Sequence, residues 1–473
     1  MAVKRRSLLA GTIALASTMP SAGRTQGPRT DRKVLRLESR QIEVAGRAAT
    51  RYGAMQASGT YGLVLDEGDT FDVRVENRLR VPSGIHWHGL TPPWRQDGVP
   101  YISAPPIAAG ESADYAFPAR PVGTRWMHSH FGLQEQNLLA APLIVRETAA
   151  IRSGLQEVVA LFEDFSWTNP ATILADLRKP KPMAMSMARG TGGESGGGMR
   201  MSGPDLNDVE YDAFLANDRT VADPAVFDVG RGAEVRLRLI NGAASSNFVI
   251  YLGGIEGTLL TVDGNPVQPQ RMRQLPLATA QRADIVVRMP SDGSALPILA
   301  LAEGRVLRAG FVLRPPGAPV TRIPDRAEMA TPALSLAVEK TLRAISPLPA
   351  RKVDRSVPVD LVGTMTGYTW GVQVHGMVGI PVTVERGERV ELVMRNTTMM
   401  AHPMHLHGHN FQVTEIDGEK LAGAVRDTVL VPPMTTVKVV FDADNPGLWP
   451  YHCHNLFHMA AGMFTTVVYR GFA

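Results

Sequence analysis

The residues most able to do chemistry are histidines, and they are clustered. Ten of the twelve fall in four groups: His86/His88, His128/His130, His402/His405/His407 and His452/His454/His458. Each group contains a His-x-His pair. On a strand, residues two apart face the same way, so each pair presents two imidazoles to one side. The four pairs can converge if the two stretches that hold them meet face to face. Eight neutral imidazoles in one pocket are costly without a metal, because buried polar groups need partners. The single cysteine, Cys453, lies between His452 and His454, so its side chain points to the opposite face. Its partners there form a different site. Two histidines, a thiolate and a weak axial methionine describe a blue-copper electron-transfer centre. His402 and His458 are the free imidazoles, and Met463 lies ten residues after the cysteine. A zinc site uses the same ligand types but has no use for a cysteine bridging to two neighbouring imidazoles. The short backbone on either side of Cys453 would connect a one-electron centre to a multi-histidine centre.

The elements that must position these residues show as a repeat. The pattern runs Gly68–Phe71–Val73–Val75–Asn77, then Gly232–Val235–Leu237–Leu239–Asn241, then Gly387–Val390–Leu392–Met394–Asn396. Each copy is a period-2 strand with a turn residue at both ends. The copies stand 164 and 155 residues apart, about one domain length. Three related β-domains are expected, at 24–150, 155–315 and 350–473. The Pro-rich stretch from Pro315 to Pro349 reads as a linker crossing a surface. Eighteen residues after Gly68 comes His86, and eighteen after Gly387 comes His405; the same offset from Gly232 reaches Ile250. Gly123 leads by five residues to His128, and Gly447 by five to His452. The first and third domains therefore share the histidine pairs. The second holds none, since no histidine lies between His130 and His375.

Composition bounds the rest. The 473 residues are 44% hydrophobic and 20% charged, ample for several cores and too apolar for disorder. One cysteine excludes a disulfide framework, an all-cysteine zinc site and an iron–sulfur cluster. Lys4, Arg5 and Arg6 precede the apolar stretch Leu8–Ala16 and a small-residue site at Pro20-Ser21-Ala22, the plan of an export signal. The Arg5-Arg6 pair followed by Ser7-Leu8-Leu9 resembles a twin-arginine signal, placed at 1–22. Removing those three cations takes the formal charge from +4 to +1, so no nucleic-acid footprint is indicated. No later run is long and apolar enough to span a membrane. A soluble periplasmic or secreted protein is expected, as a monomer.

The four His-x-His motifs, with Cys453 inside the last, resemble those of the multicopper oxidases, in the three-domain arrangement of bacterial laccase-like enzymes and cuprous oxidases. The resemblance covers most of the mature chain. It implies an all-β fold of three cupredoxin-like Greek-key sandwiches and four coppers. Position by position, it implies type 1 copper on His402, Cys453, His458 and Met463. Type 2 falls to His86 and His405, and the type 3 pair to His88, His128, His130, His407, His452 and His454. The implied reaction is one-electron oxidation of a small reducing substrate (a phenol, an aromatic amine or Cu(I)), electron transfer along Cys453 and reduction of dioxygen to water. Asp97, eleven residues after His86, matches an acid near the type 2 copper and is expected to relay protons. Ser129 stands where Cys453 stands, and Ser83 matches His402, so the first domain should lack a type 1 site. The chain departs from the family pattern in two places. Several bacterial members carry an acid directly after the last type 1 histidine, where this chain has Met459, and Asn455-Leu456-Phe457 supplies none. The second proton donor is thus unassigned. Some cuprous oxidases have an aspartate where this chain has Thr398. A copper nitrite reductase is typically shorter, with two domains per chain, and lacks the His-Cys-His centre.

The substrate is less legible. Residues 183–201 hold five methionines, Met183, Met185, Met187, Met199 and Met201, around a Gly/Ser run read as a loop of the second domain. Thioethers suit Cu(I); a lid over an organic-substrate pocket is the competing reading. A laccase-like oxidase is the first expectation and a cuprous oxidase in copper tolerance the second. A non-catalytic scaffold of the same fold is a third, but scaffolds of this kind have lost ligands that are all present here. His375 reads as a loop residue, and His409 as a possible support for a ligand.

Overall fold

A computed structural model of the chain describes residues 32–179 and 206–472. The export segment 1–22 and the Met-rich segment 183–201 lie outside the described residues. Strands dominate, and the longest helix among the described residues, Pro170–Leu177, has eight residues. None is long and apolar enough to cross a membrane.

Six sheets form three successive pairs along the chain. The first pair, four strands each, uses residues 33–146; the second, six and five strands, uses 156–314; the third, eight and five, uses 355–469. The repeated pattern is one strand in each pair: Thr70–Asn77, Glu234–Asn241 and Arg389–Asn396. Each lies parallel to the first strand of its own pair, Lys33–Val44, Gln156–Phe165 and Arg355–Thr364 respectively. Its period-2 apolar residues turn inward: Phe71, Val73 and Val75 are fully buried, as are Leu237, Leu239, Val390 and Leu392.

The terminal asparagine does the same work three times. The Asn77 amide donates to the carbonyls of Val81 and Ile107, Asn241 to Ser246 and Leu277, and Asn396 to Met400 and Val431. Its side-chain oxygen accepts from the N–H two residues on, of Leu79, Ala243 and Thr398. This Asx turn closes the loop that leads into the next strand. In the third sheet pair that next strand begins at His402.

The second and third pairs share one continuous hydrophobic core, and the first has its own, built on Phe71, Trp87 and Phe117. In the second pair, Ile250 occupies the His-x-His position and is fully buried. The 315–349 connection is more than a surface tether. Leu342 is fully buried, and Glu339 is buried against Arg426, with Nη2 and Oε2 2.8 Å apart.

Candidate metal centres

The histidine pairs sit on hydrogen-bonded strands in a common register. In the first sheet pair, Ile85–His86 lies antiparallel to Gly123–Ser129, with His86 opposite His128. In the third, His402–Leu406 lies antiparallel to Leu448–Cys453, with His405 opposite His452. The second histidines, His88, His130, His407 and His454, lie just past the strand ends, where the two sheet pairs abut. Eight imidazoles meet there. Their donor atoms lie within 4.8 Å of one another in three groups: His86/His88/His405, His88/His128/His454 and His130/His407/His452. Rings stack across the junction, His88 on His405 and His86 on His407, each with centroids 3.7 Å apart.

Three buried acids hold these rings. Asp97 Oδ1 lies 3.0 Å from His86 Nδ1, and Oδ2 3.0 Å from His407 Nδ1. Asp427 Oδ1 lies 3.0 Å from His88 Nε2, and the Asp427 carbonyl lies 2.8 Å from His405 Nδ1. Glu135 Oε2 lies 2.8 Å from His128 Nδ1. Arg282, reaching in from the second sheet pair, grips Asp427 with both terminal nitrogens at 2.7 and 2.5 Å. A bidentate guanidinium fixes a carboxylate's plane as well as its position.

Burial pushes the imidazoles of His88, His128, His130, His405, His407 and His454 well below the ordinary histidine range, and that of His452 to about 4. These rings are neutral at pH 7, each with a lone pair for a metal. His86 Nε2, His405 Nε2 and His88 Nδ1 are buried with no hydrogen-bond partner. Orphaned buried nitrogens in such density are what a missing cation would satisfy.

On the other face of the same strand, Cys453 Sγ lies 3.7 Å from both His402 Nδ1 and His458 Nδ1, which are 3.1 Å from each other. His458 is carried by the short helix Leu456–Ala460, capped by the Asn455 side chain. Met463 is fully buried, and its backbone closes the site: its carbonyl accepts from the Cys453 N–H at 3.1 Å, and its N–H donates to the His458 carbonyl at 2.9 Å. Burial pushes the Cys453 thiol up, so a thiolate forms there only against a cation. Trp370 packs on His458 with centroids 4.1 Å apart. The outer nitrogens of both rings are held: Thr398 Oγ1 lies 2.8 Å from His402 Nε2, and Asp208 Oδ2 lies 2.8 Å from His458 Nε2. Tyr368 and Asn455 donate to the same Asp208 oxygen.

The first sheet pair carries the imprint of this second site without its chemistry. Ser83 and Ser129, matching His402 and Cys453, both donate to Gln134 Oε1, at 2.7 and 2.9 Å. Gln134 follows Ser129 by five residues, as His458 follows Cys453. Three soft or aromatic donors have become a self-satisfied neutral hydrogen-bond set.

The chain matches the multicopper oxidase family over three stretches, residues 54–150, 180–304 and 352–471. It is 34% identical to multicopper oxidase MmcO of Mycobacterium tuberculosis, over 85% of this chain and 80% of that protein. The chain belongs to the multicopper oxidase family. Another relative of this multicopper oxidase is a copper resistance protein A homolog of Pseudomonas syringae pv. tomato, 27% identical over 96% of this chain and 94% of that protein. The crystal structure of a laccase from Botrytis aclada superposes with a TM-score of 0.74 at 21% identity, covering 93% of this chain and 88% of the laccase. The all-β, cupredoxin-like architecture is thereby borne out. The family binds four coppers, of types 1, 2 and 3, and oxidises a reducing substrate with dioxygen as acceptor. The donor sets of this multicopper oxidase fit that complement: imidazole suits copper, and the single thiolate stands with two imidazoles and a thioether residue.

Sequence reasoning placed Asp97 beside the histidines but missed Glu135, Asp427, Arg282 and Asp208. Glu135 carried a faint signal, five residues after His130. Asp427 and His88 are 339 residues apart, with nothing local to link them. His409 contacts no member of either centre through its ring except the His407 carbonyl, at 3.0 Å from Nδ1, and its Nε2 lies 2.6 Å from the Tyr469 hydroxyl. His375 is an exposed turn residue with φ 49°.

Proposed function

We propose that His402, Cys453, His458 and Met463 hold the type 1 copper, and His86 and His405 the type 2 copper. On this reading His88/His128/His454 and His130/His407/His452 hold the two type 3 coppers, so the three sheet pairs are three domains of which the middle one binds none. Copper bound there would supply the redox chemistry: one-electron acceptance from the reductant and four-electron reduction of dioxygen. The protein's part is to place and connect the ligands. Cys453 is covalently continuous with His452 and His454, and the Cys453 carbonyl lies 2.9 Å from His452 Nδ1, a second short connection. Asp97 touches an imidazole of two different groups and stands where it can hand protons inward. The enzyme is read as exported through a twin-arginine-like signal and monomeric.

For the reductant, the observation that carries most is Asp208 at 2.8 Å from His458 Nε2. It puts a carboxylate beside the outer edge of the ligand through which an electron would enter. The imidazole contacts, with Tyr368 and Asn455, hold Asp208 below the usual carboxylate range against the opposing effect of burial. The Asp208 side chain is fully buried behind His458, and an acceptor there suits a substrate that releases a hydroxyl proton along with its electron, as a phenol does. This supports a laccase-like oxidase. A second reading, a cuprous oxidase, draws on where the Met-rich segment is tethered. Arg178, just before it, donates to the Ala460 carbonyl at 3.3 Å, and Asp208, just after it, touches His458. The copper-resistance name of a relative points the same way.

Oxygen uptake by the copper-loaded enzyme separates the two. With a methoxyphenol, Asp208→Asn should lower kcat/KM at least tenfold more than it lowers oxidation of ferrocyanide, which brings no proton. Deletion of 183–201 should leave phenol oxidation intact. Fast uptake with chelated Cu(I), lost on that deletion and indifferent to Asp208→Asn, would overturn the laccase reading in favour of the cuprous one.

A further inference from the structure

Every acid near the histidine cluster serves imidazoles, but they are not equivalent. Asp97 spans His86 and His407, which belong to different ligand groups. Asp427 faces His88 and His405, which the assignment above gives to different coppers, whereas Glu135 faces two imidazoles assigned to the same one. Its Oε2 lies 2.8 Å from His128 Nδ1, and its Oε1 lies 3.7 Å from His454 Nδ1. Across the same two rings, His128 Nε2 and His454 Nε2 are 3.3 Å apart, aimed at each other. Glu135 Oε1 and His454 Nδ1 are both buried and neither has another hydrogen-bond partner. The carboxyl group therefore sits behind the rings, with one oxygen engaged and the other facing an orphaned nitrogen.

The surroundings keep it there. Glu135 is 4% exposed and opens the short turn Glu135–Asn137, which ends at Leu138 in a left-handed conformation (φ 61°). Its neighbours are tied to different sheet pairs. Gln134 is held by Ser83, Ser129 and the Pro82 carbonyl in the first, and Gln136 by Asp164 and Tyr211 in the second. Trp126 stacks on His128 at 4.4 Å, so that ring is fixed on one face by an indole and on one edge by Glu135. The backbone that carries Glu135 could not shift without breaking these bonds to both sheet pairs.

We propose that Glu135 is a positioning residue for one copper of the type 3 pair. It fixes His128 and His454 with Nδ1 turned outward and Nε2 turned to the metal, and closes its second hydrogen bond, to His454, when that metal is held. A carboxylate behind a ligating imidazole fixes its tautomer and raises its basicity, and loss of such a partner costs roughly 10–100-fold in metal affinity. The inference rests on the ligand assignment above. It also gives a chain with no acid between Cys453 and His458 a carboxylate at this centre, supplied from the first sheet pair instead.

The test compares copper-loaded wild type, Glu135→Gln and Glu135→Ala under increasing concentrations of a copper chelator. Three quantities are followed: total copper per chain, the fraction silent in electron paramagnetic resonance (the coupled pair), and the blue absorption of the type 1 site. Blue colour certifies that a variant has folded, because Cys453 lies on the opposite strand face. Glu135→Ala should release its silent pair at 10–100-fold lower chelator while staying blue. Glu135→Gln should fall between, since its carbonyl can accept from His128 but its amide N–H₂ would meet the His454 N–H, donor against donor. Both variants retaining the silent pair to wild-type chelator concentrations would overturn the inference. A wild type that is blue but has no silent pair would overturn the ligand assignment, and this inference with it.

Discussion

At the scale of single residues, the chemistry that was legible was the chemistry written in rare letters. Twelve histidines and one cysteine are few enough for spacing to mean something. Their alternation on a strand says which face each takes, and the structure gathers them on those faces. Forty-five acids are too many to single out, so Asp427 and Asp208, each partnered to an imidazole from afar, left no mark beyond their own letters, and Glu135 left only its nearness to His130. Asp97 was found only because it follows a motif at a fixed distance. The sharpest single-residue prediction concerns Cys453, the one thiol of the chain, at a site where two imidazole nitrogens stand 3.7 Å from it. Cys453→Ser should abolish the blue band and drop turnover of any reductant to background, while copper at the other ligand groups is retained. Absorbance together with copper stoichiometry checks it, and a blue, active variant would sink the type 1 assignment.

At the scale of elements, the repeated strand was readable because its period and its end residues recur three times, and the Asx turn at each terminal asparagine gives the recurrence a cause. The connection between the second and third sheet pairs was not readable in the same way. Its prolines suggest a tether, but the burial of Leu342 and the Glu339–Arg426 pair depend on partners about ninety residues away or in another sheet. The glycine that ends each His-x-His-Gly motif carries a constraint that only the packing reveals. Gly89 has φ +87°, and a Cβ there would sit 2.6 Å from Arg282 Nη2 and 2.9 Å from Asp427 Oδ2. Gly68 has a similar φ of +91° with nothing within 4 Å of the added carbon. Alanine at either position incurs about 1–2 kcal/mol for the left-handed backbone. Gly89→Ala must in addition push apart the Arg282–Asp427 pair that holds His88. Thermal unfolding should rank Gly89→Ala well below Gly68→Ala, and only Gly89→Ala should weaken copper retention. Equal losses would mean that the Arg282–Asp427 pair tolerates displacement.

At the scale of the whole molecule, the metal centres lie where sheet pairs meet, and that placement ties folding to copper. The first and third pairs supply the imidazoles, and the second supplies Arg282 and Asp263, so a chain of buried charges joins the second pair to the third: Asp427 to Arg282, Arg282 to Asp263, Asp263 to Arg426 and Arg426 to Glu339, with Arg125 of the first pair 3.7 Å from Asp427. Breaking one member of such a buried chain typically costs about 3–5 kcal/mol, because the remaining partner keeps its charge without compensation. The histidines add a pH term. In the copper-free protein, burial holds at least seven imidazoles below their unfolded value of roughly 6.5. A depressed histidine binds its proton in the unfolded chain first, so stability is full above about pH 6.5 and falls as the pH drops towards the folded values. For His452 that window runs down to about 4. Copper occupies the lone pairs that protons would take, and a ligand bound only by the folded state stabilises it by mass action. The copper-free enzyme should therefore unfold at a pH well above the copper-loaded one, with a steep dependence between pH 6.5 and 4, and should melt at lower temperature at pH 7. Denaturation followed by tryptophan fluorescence across that range measures both forms. Coincident pH profiles would show that the imidazoles escape burial once copper leaves, by separation of the first and third sheet pairs rather than by protonation inside a closed junction.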